Sequence, residues 1–219
     1  EEGLTKVVEL PIDNLEVYAF ADLAAGKEAR SKHRRARQVI VVGARDWLNR
    51  WFWLYIYAGI KTATDLKEMI FQAQDVYCPR IFGLEANGMQ VLFGALVREE
   101  SKVRNGRGVK MVPIYQPTNV EKNYRIRSGM EPVINGGRFF LRSNEIEAYS
   151  EITGFTKAST KDIVDAMETT MNRVAPKRQL KSAQNHEKEE YAHYLRSTGM
   201  QSHLIEHELG KYRSQQSAM

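Results

Sequence analysis

The run Leu15–Leu23, LEVYAFADL, is apolar on both of its faces: Val17, Ala19 and Ala21 alternate with Tyr18 and Phe20. A period of two without a polar face is the pattern of a strand covered on both sides. The run closes on Asp22, and an acid at the end of such a strand is costly unless it is solvated or used. Two further β-rich runs, Gln38–Ala44 and Trp51–Ala58, flank the polar connection Arg45–Arg50 and read as a hairpin.

At Thr64–Tyr77 the period changes. Leu66, Met69, Ile70, Ala73 and Tyr77 share one face, which predicts a helix with Thr64 at its N-cap and Pro79 as its stop. Arg80–Glu85 (RIFGLE) is a short apolar run that again closes on an acid. Asn87 opens a second amphipathic helix carrying Met89, Leu92, Phe93, Leu96 and Val97, and Val109–Tyr115 reads as a fifth strand. The order β-β-β-α-β-α-β predicts an α/β fold: a mixed sheet with an antiparallel hairpin plus parallel strands, flanked by helices. A second hairpin is expected around Pro132–Arg142, with Asn135-Gly136-Gly137 as its turn. The last core element is a helix over Ser159–Val174, ended by Pro176, and a polar C-terminal extension follows over 177–219.

With 219 residues, the chain is long enough for one large domain or one domain plus an extension. The longest apolar runs fall well short of the roughly 18–20 residues that cross a bilayer, so no membrane partner is expected. The single cysteine, Cys78, forms no internal disulfide and fits a reducing compartment. Lys+Arg total 32 against 27 Asp+Glu, a net charge of +5. The segment Lys27–Arg37, KEARSKHRRAR, carries that whole excess in Lys27, Arg30, Lys32, Arg34, Arg35 and Arg37 against one acid. It reads either as a solvated loop or as a contact for a phosphate backbone.

Three acids stand at element ends: Asp22, Glu85 and Asp162. Each has a bland reading, as a loop residue, a helix flank, or, for Asp162, the N3 acid of a capping box begun by Ser159. Together they would repel unless metal ions or raised pKa values neutralised them, and oxygen-only ligands favour Mg2+ or Mn2+. His203 and His207 have helical metal-pair spacing but no third ligand nearby. The aromatic run at 51–57, WFWLYIY, reads as core packing rather than a base-stacking platform.

In this order, the segments YAFADLAAGKEARSKHRRARQVIVVGARD, WFWLYIYAG, IFGLEANGMQ and STKDIVDAM resemble the nuclease domain of the large terminase subunit of tailed bacteriophages, over residues 15–175. The resemblance implies a ribonuclease H-like fold, two divalent metal ions, and cutting of concatemeric double-stranded DNA during genome packaging. It implies Asp22, Glu85 and Asp162 as catalytic, metal-holding acids. Lys161 stands where many members have the first Asp of a pair, so Asp165 is kept beside Asp162 as a further ligand or a supporting acid. Lys122, in VEKNYRI, resembles a lysine that approaches the scissile phosphate, and the resemblance sets the Lys27–Arg37 run beside the acids as a DNA contact. The segment around Asn135–Arg138 is a candidate for controlling access to the groove.

No G-x-x-x-x-G-K-[ST] loop occurs, so the expectation is a nuclease domain separated from its ATPase motor, with 1–14 as linker remnant, 15–176 as the nuclease and 177–219 as the extension. Portal protein and the small terminase subunit are implied partners, in the host bacterial cytoplasm at the procapsid portal. The competing readings are a DNA- or partner-docking module without chemistry, and another ribonuclease H-like enzyme such as a junction resolvase.

Overall fold

The computed structural model describes residues 15–23, 37–86, 88–104, 108–117, 119–155, 157–158 and 160–177, the side chains of 88–91 excepted, together with Ala192, Arg196 and Leu204. The chain divides into two compact units, Glu1–Pro176 and Lys177–Met219. From the second, Ala192, Arg196 and Leu204 are described, and all three are helical.

Among its described residues the first unit has six strands: β1 (Glu16–Asp22), β2 (Gln38–Arg45), β3 (Trp51–Gly59), β4 (Ile81–Glu85), β5 (Met111–Ile114) and β6 (Phe139–Phe140). Five helices among the described residues accompany them: α1 (Ala63–Tyr77), α2 (Gly88–Val103), α3 (Lys122–Asn135), α4 (Ile146–Thr153) and α5 (Asp162–Thr169), the last continued by a π-helical turn over Thr170–Val174. The sheet order is β5-β4-β1-β2-β3-β6. β2 runs antiparallel to both β1 and β3, whereas β1–β4, β4–β5 and β3–β6 are parallel pairs. This is the expected mixed α/β sheet, with antiparallel strands at its centre and parallel strands on either side, flanked by helices.

The two apolar faces of β1 account for its layers. Tyr18 and Phe20 face a core shared with Val39, Val41, Trp51 and Trp53 and closed by Ile126, Met130, Ile163, Met167 and Val174. Val17, Ala19 and Ala21 face the opposite core, closed by Leu66, Ile70 and Phe71 of α1 and Val97 of α2. Trp51, Phe52 and Trp53 are buried, with Trp51 stacked on Trp53 at 6.0 Å, so the start of the aromatic run is core.

Local chemistry shifts one boundary of α1 and keeps the other. α1 is capped by Thr62, not Thr64: the Thr62 hydroxyl accepts from the Asp65 N–H at 3.1 Å, and the Asp65 carboxylate returns to the Thr62 N–H at 3.3 Å. That reciprocal box needs the three-residue spacing that Thr62 and Asp65 supply. At the other end Cys78 takes the left-handed conformation (φ 50) just before Pro79.

The hairpin expected over Pro132–Arg142 is not formed, and with it falls the hairpin proposed to control a groove at Asn135–Arg138. Residues 122–135 are helical instead. Glu121 accepts from the Asn123 and Tyr124 amides at 2.9 and 2.8 Å, and Ile126 and Met130, one turn apart, are buried on one face. Pro132 stands in the last stretch of the helix, and Asn135-Gly136-Gly137 turns the chain out of it. The FF pair then lies parallel to β3, with Phe140 stacked on Phe52 at 4.8 Å.

Candidate active site

The parallel register of β1 and β4 pairs Ala21 with Leu84, so the next residues, Asp22 and Glu85, end adjacent strands side by side. Neighbouring strands run about 4.8 Å apart, which brings the two acids close at the backbone. Strand alternation sets both on the face of Tyr18 and Phe20, the face that α5 covers. Both are half-buried and both have interaction partners. β5 continues the edge, with Glu85 opposite Ile114.

α5 brings two more acids, Asp162 and Asp165, in its first turn. Ser159, the expected cap, lies outside the described residues, and Lys161 at the N-cap makes no side-chain cap bond. Glu151 of α4 takes that role: its carboxylate accepts the N–H groups of Ile163 and Val164 at 2.9 and 3.2 Å. An anion at a helix N-terminus also meets the positive end of the helix dipole.

Arg37 binds Glu151 at 2.6 Å, Thr160 Oγ1 at 3.1 Å and Glu147, with Asp162 3.6 Å from its Nε. Burial alone would lower the Arg37 guanidinium, but these acids hold it above its ordinary value. Arg37 was expected as a DNA contact, and it is engaged instead with the acids of α4 and α5. Lys27, Arg30, Lys32, Arg34 and Arg35 lie outside the described residues.

α3 packs on α5 through a ladder with matched steps. Lys122, Arg125 and Gly129 fall at i, i+3 and i+7 of α3, and Asp165, Glu168 and Asn172 repeat those intervals from α5 into the π-helical turn. Lys122 Nζ lies 2.8 Å from Asp165 Oδ2, and Arg125 bridges Asp165 and Glu168. A Cβ at Gly129 would come within 2.6 Å of Asn172 Nδ2 and 2.9 Å of Glu168 Cγ, so glycine permits this approach. Burial pushes the Glu168 carboxyl up, despite the opposing pull of Arg125.

Lys122 ties the acids together. Burial would lower its ammonium, yet Asp165 first, then Asp162 and Asp22, hold it above its ordinary value. Three of the four predicted acids thus act on one cation, and the fourth, Glu85, neighbours Asp22 along the sheet edge. Sequence reasoning missed Arg125, Glu168 and Glu151. The Ile126–Met130 spacing is the signal that could have placed Arg125 on a helix, whereas nothing local marks Glu151 as a cap for a helix eleven residues further on.

Among the described residues no group of three or more His, Cys, Asp or Glu side chains is arranged to hold a metal ion. The donor set fits a hard divalent cation in kind, since Asp22, Glu85, Asp162 and Asp165 offer carboxylate oxygens and no soft ligand. His203 and His207 lie outside the described residues. Among the described residues no helix is long and apolar enough to cross a membrane.

No family model and no curated protein matches the chain. Among solved structures it is similar to the fowlpox virus Holliday junction resolvase, with a TM-score of 0.40 and 13% identity over 69% of this chain and 93% of that one. It is also similar to the fowlpox virus resolvase in complex with Holliday junction DNA, with a TM-score of 0.42 and 11% identity over 72% of this chain and 96% of that one.

Proposed function

We propose that this chain is a divalent-metal-dependent DNA endonuclease. The observation that carries the reading is the set of acids on one face of the sheet: Asp22 and Glu85 on adjacent strand ends, with Asp162 in the first turn of the helix above. Functional groups of open α/β sheets gather at the carboxyl ends of strands, where these two acids stand. Asp22, Glu85 and Asp162 would hold the ions, and Mg2+ or Mn2+ bound there would supply an activated water and stabilise the leaving oxygen of a phosphodiester. Lys122, held charged by Asp165, Asp162 and Asp22, would bind an oxygen of the scissile phosphate. The basic residues of Lys27–Arg35 follow Asp22 directly in the chain and would meet the flanking DNA backbone.

In its finer form, the reading is the nuclease of a phage genome-packaging terminase, which rests on the sequence resemblance over 15–175. The motor domain, the portal, the small terminase subunit and the host cytoplasm belong to that form, with 177–219 as the portal-facing extension. Junction resolution and chemistry-free DNA docking are the alternatives.

The test is cleavage of plasmid, linear duplex and four-way junction DNA with Mn2+, Mg2+ or EDTA, alongside Asp22→Asn and Glu85→Gln. Metal-dependent cutting of plain duplex, lost in both variants, is expected. Strong preference for the junction would move the assignment to a resolvase. Salt-sensitive binding without cutting under any metal would leave a docking module.

A further inference from the structure

We infer that Asp165 is a positioning residue rather than a metal ligand: with Arg125 and Glu168 it fixes the Lys122 ammonium at the first turn of α5, the turn that also carries Asp162. The inference rests on the nuclease reading above and assigns separate roles to the two acids of the α5 first turn.

Both oxygens of Asp165 are engaged by cations. Lys122 Nζ lies 2.8 Å from Oδ2, and Arg125 Nη2 donates to Oδ1. The other terminal nitrogen of Arg125 donates to Glu168, and Thr169 Oγ1 lies 3.4 Å from it. Glu168 is buried and also accepts from Asn172 Nδ2 at 3.2 Å. A continuous chain therefore runs from Asn172 through Glu168, Arg125 and Asp165 to Lys122, from the helix interface to the acids. Arg125 and Glu168 are buried, Asp165 is partly buried, and the last member, Lys122, is half-exposed, so the chain ends on a charge that substrate can reach.

Asp162 differs in each respect. Its side chain is 33% exposed against 15% for Asp165, and its ion-pair contact, Arg37 Nε at 3.6 Å, is too long for a hydrogen bond. A carboxylate that must take up a divalent cation needs lone pairs directed at open space. One whose two oxygens each already accept from a cation, an ammonium and a guanidinium, has fewer lone pairs and less net charge to offer. A lysine on a flexible stem, by contrast, becomes an oriented phosphate ligand only when something holds its head. Asp165 is placed to do that, and Arg125 to hold Asp165.

The experiment measures Mn2+ binding by calorimetry without DNA, together with kcat and KM for duplex cleavage, on the full chain and on Asp162→Asn, Asp165→Asn, Lys122→Met, Arg125→Lys and the double variant Asp165→Asn/Lys122→Met. Asp162→Asn should lose Mn2+ affinity by tenfold or more. Asp165→Asn should keep it within about threefold while kcat falls on the order of 10–100-fold, the range found for residues that orient others. The double variant should be no slower than Lys122→Met alone, because Asp165 acts through that lysine. If Asp165→Asn unfolds, Arg125→Lys, which keeps the charge but not the two-pronged geometry, carries the same comparison: full Mn2+ affinity with reduced kcat. Loss of Mn2+ binding in Asp165→Asn equal to that of Asp162→Asn overturns the inference, as do multiplicative losses in the double variant. A wild-type chain that neither binds Mn2+ nor cuts DNA overturns the nuclease reading itself, and this inference with it.

Discussion

The carboxylate of Glu151 accepts the backbone N–H of Ile163 at 2.9 Å, so the helix that carries Asp162 and Asp165 is capped from a different helix. The same buried carboxylate takes Val164 N–H, Thr160 Oγ1 at 2.8 Å and Arg37 at 2.6 Å. Glu151→Ala removes the acceptor of the Ile163 and Val164 amides and of the Thr160 hydroxyl, and one of the acids on Arg37, and it should lower stability by about 2–4 kcal/mol in urea unfolding, with the m-value unchanged. Glu151→Gln retains one acceptor oxygen and should lose about half as much. A change within about 0.5 kcal/mol for the alanine variant, the size of an ordinary surface substitution, would show that α5 does not depend on this cap.

Glu121 begins α3, and the amides of Asn123 and then Tyr124 hold its carboxyl below the usual glutamate value. A depressed folded-state pKa means that the unfolded chain binds the proton more readily as pH falls, so the stabilisation is present above the ordinary value of about 4.5 and is lost below it. The stability difference between wild type and Glu121→Ala should be constant from pH 6 to 8 and shrink as pH falls below that value. A difference that grew on acidification would contradict the cap.

Gly83, two residues before Glu85, lies under the π-helical turn. A Cβ there would meet Val174 Cγ2 at 2.5 Å, with Ile114 and Phe20 at 3.0 Å. Those side chains are buried in one core and have little room to retreat. Gly83→Ala should therefore cost about 1–3 kcal/mol by overpacking, read as a lower thermal midpoint. An unchanged midpoint would mean that the π-helical turn shifts freely on the sheet.

The centre of the sheet was legible because β1 and β2 are buried on both faces. Val17, Ala19 and Ala21 against Tyr18 and Phe20 announce two cores, and both exist. The hairpin expected over Pro132–Arg142 fails because Asn135-Gly136-Gly137 is a strong turn signal that serves a helix end as well as a hairpin. The helical phase of α3 rests on Ile126 and Met130 alone at full burial, too sparse a stripe to outweigh the turn chemistry. At the site, the acids were visible because each closes an apolar run or opens an amphipathic one. Their counter-charges were not: Arg125 meets Glu168 across 43 residues of sequence, and Arg37 meets Glu151 across 114. Such pairs are decided by packing, which no local pattern encodes.

Arg37 yields the prediction that separates the sequence expectation from the structure. As a phosphate contact it would contribute to counterion release, and removing it would reduce the slope of log affinity against log salt by about 0.9. Its guanidinium is instead bound by Glu147, Glu151 and Thr160, and Asp162 stands beside it, so its charge is balanced by acids before DNA arrives. Arg37→Gln should lower the unfolding midpoint, because it leaves the buried Glu151 without its cation, and should leave the salt slope of duplex binding at the wild-type value. Arg34→Gln or Arg35→Gln, in the basic run that follows Asp22, should do the reverse: about one unit less slope and an unchanged midpoint. A reduced slope for Arg37→Gln would mean that the guanidinium leaves its acids for phosphate when DNA binds.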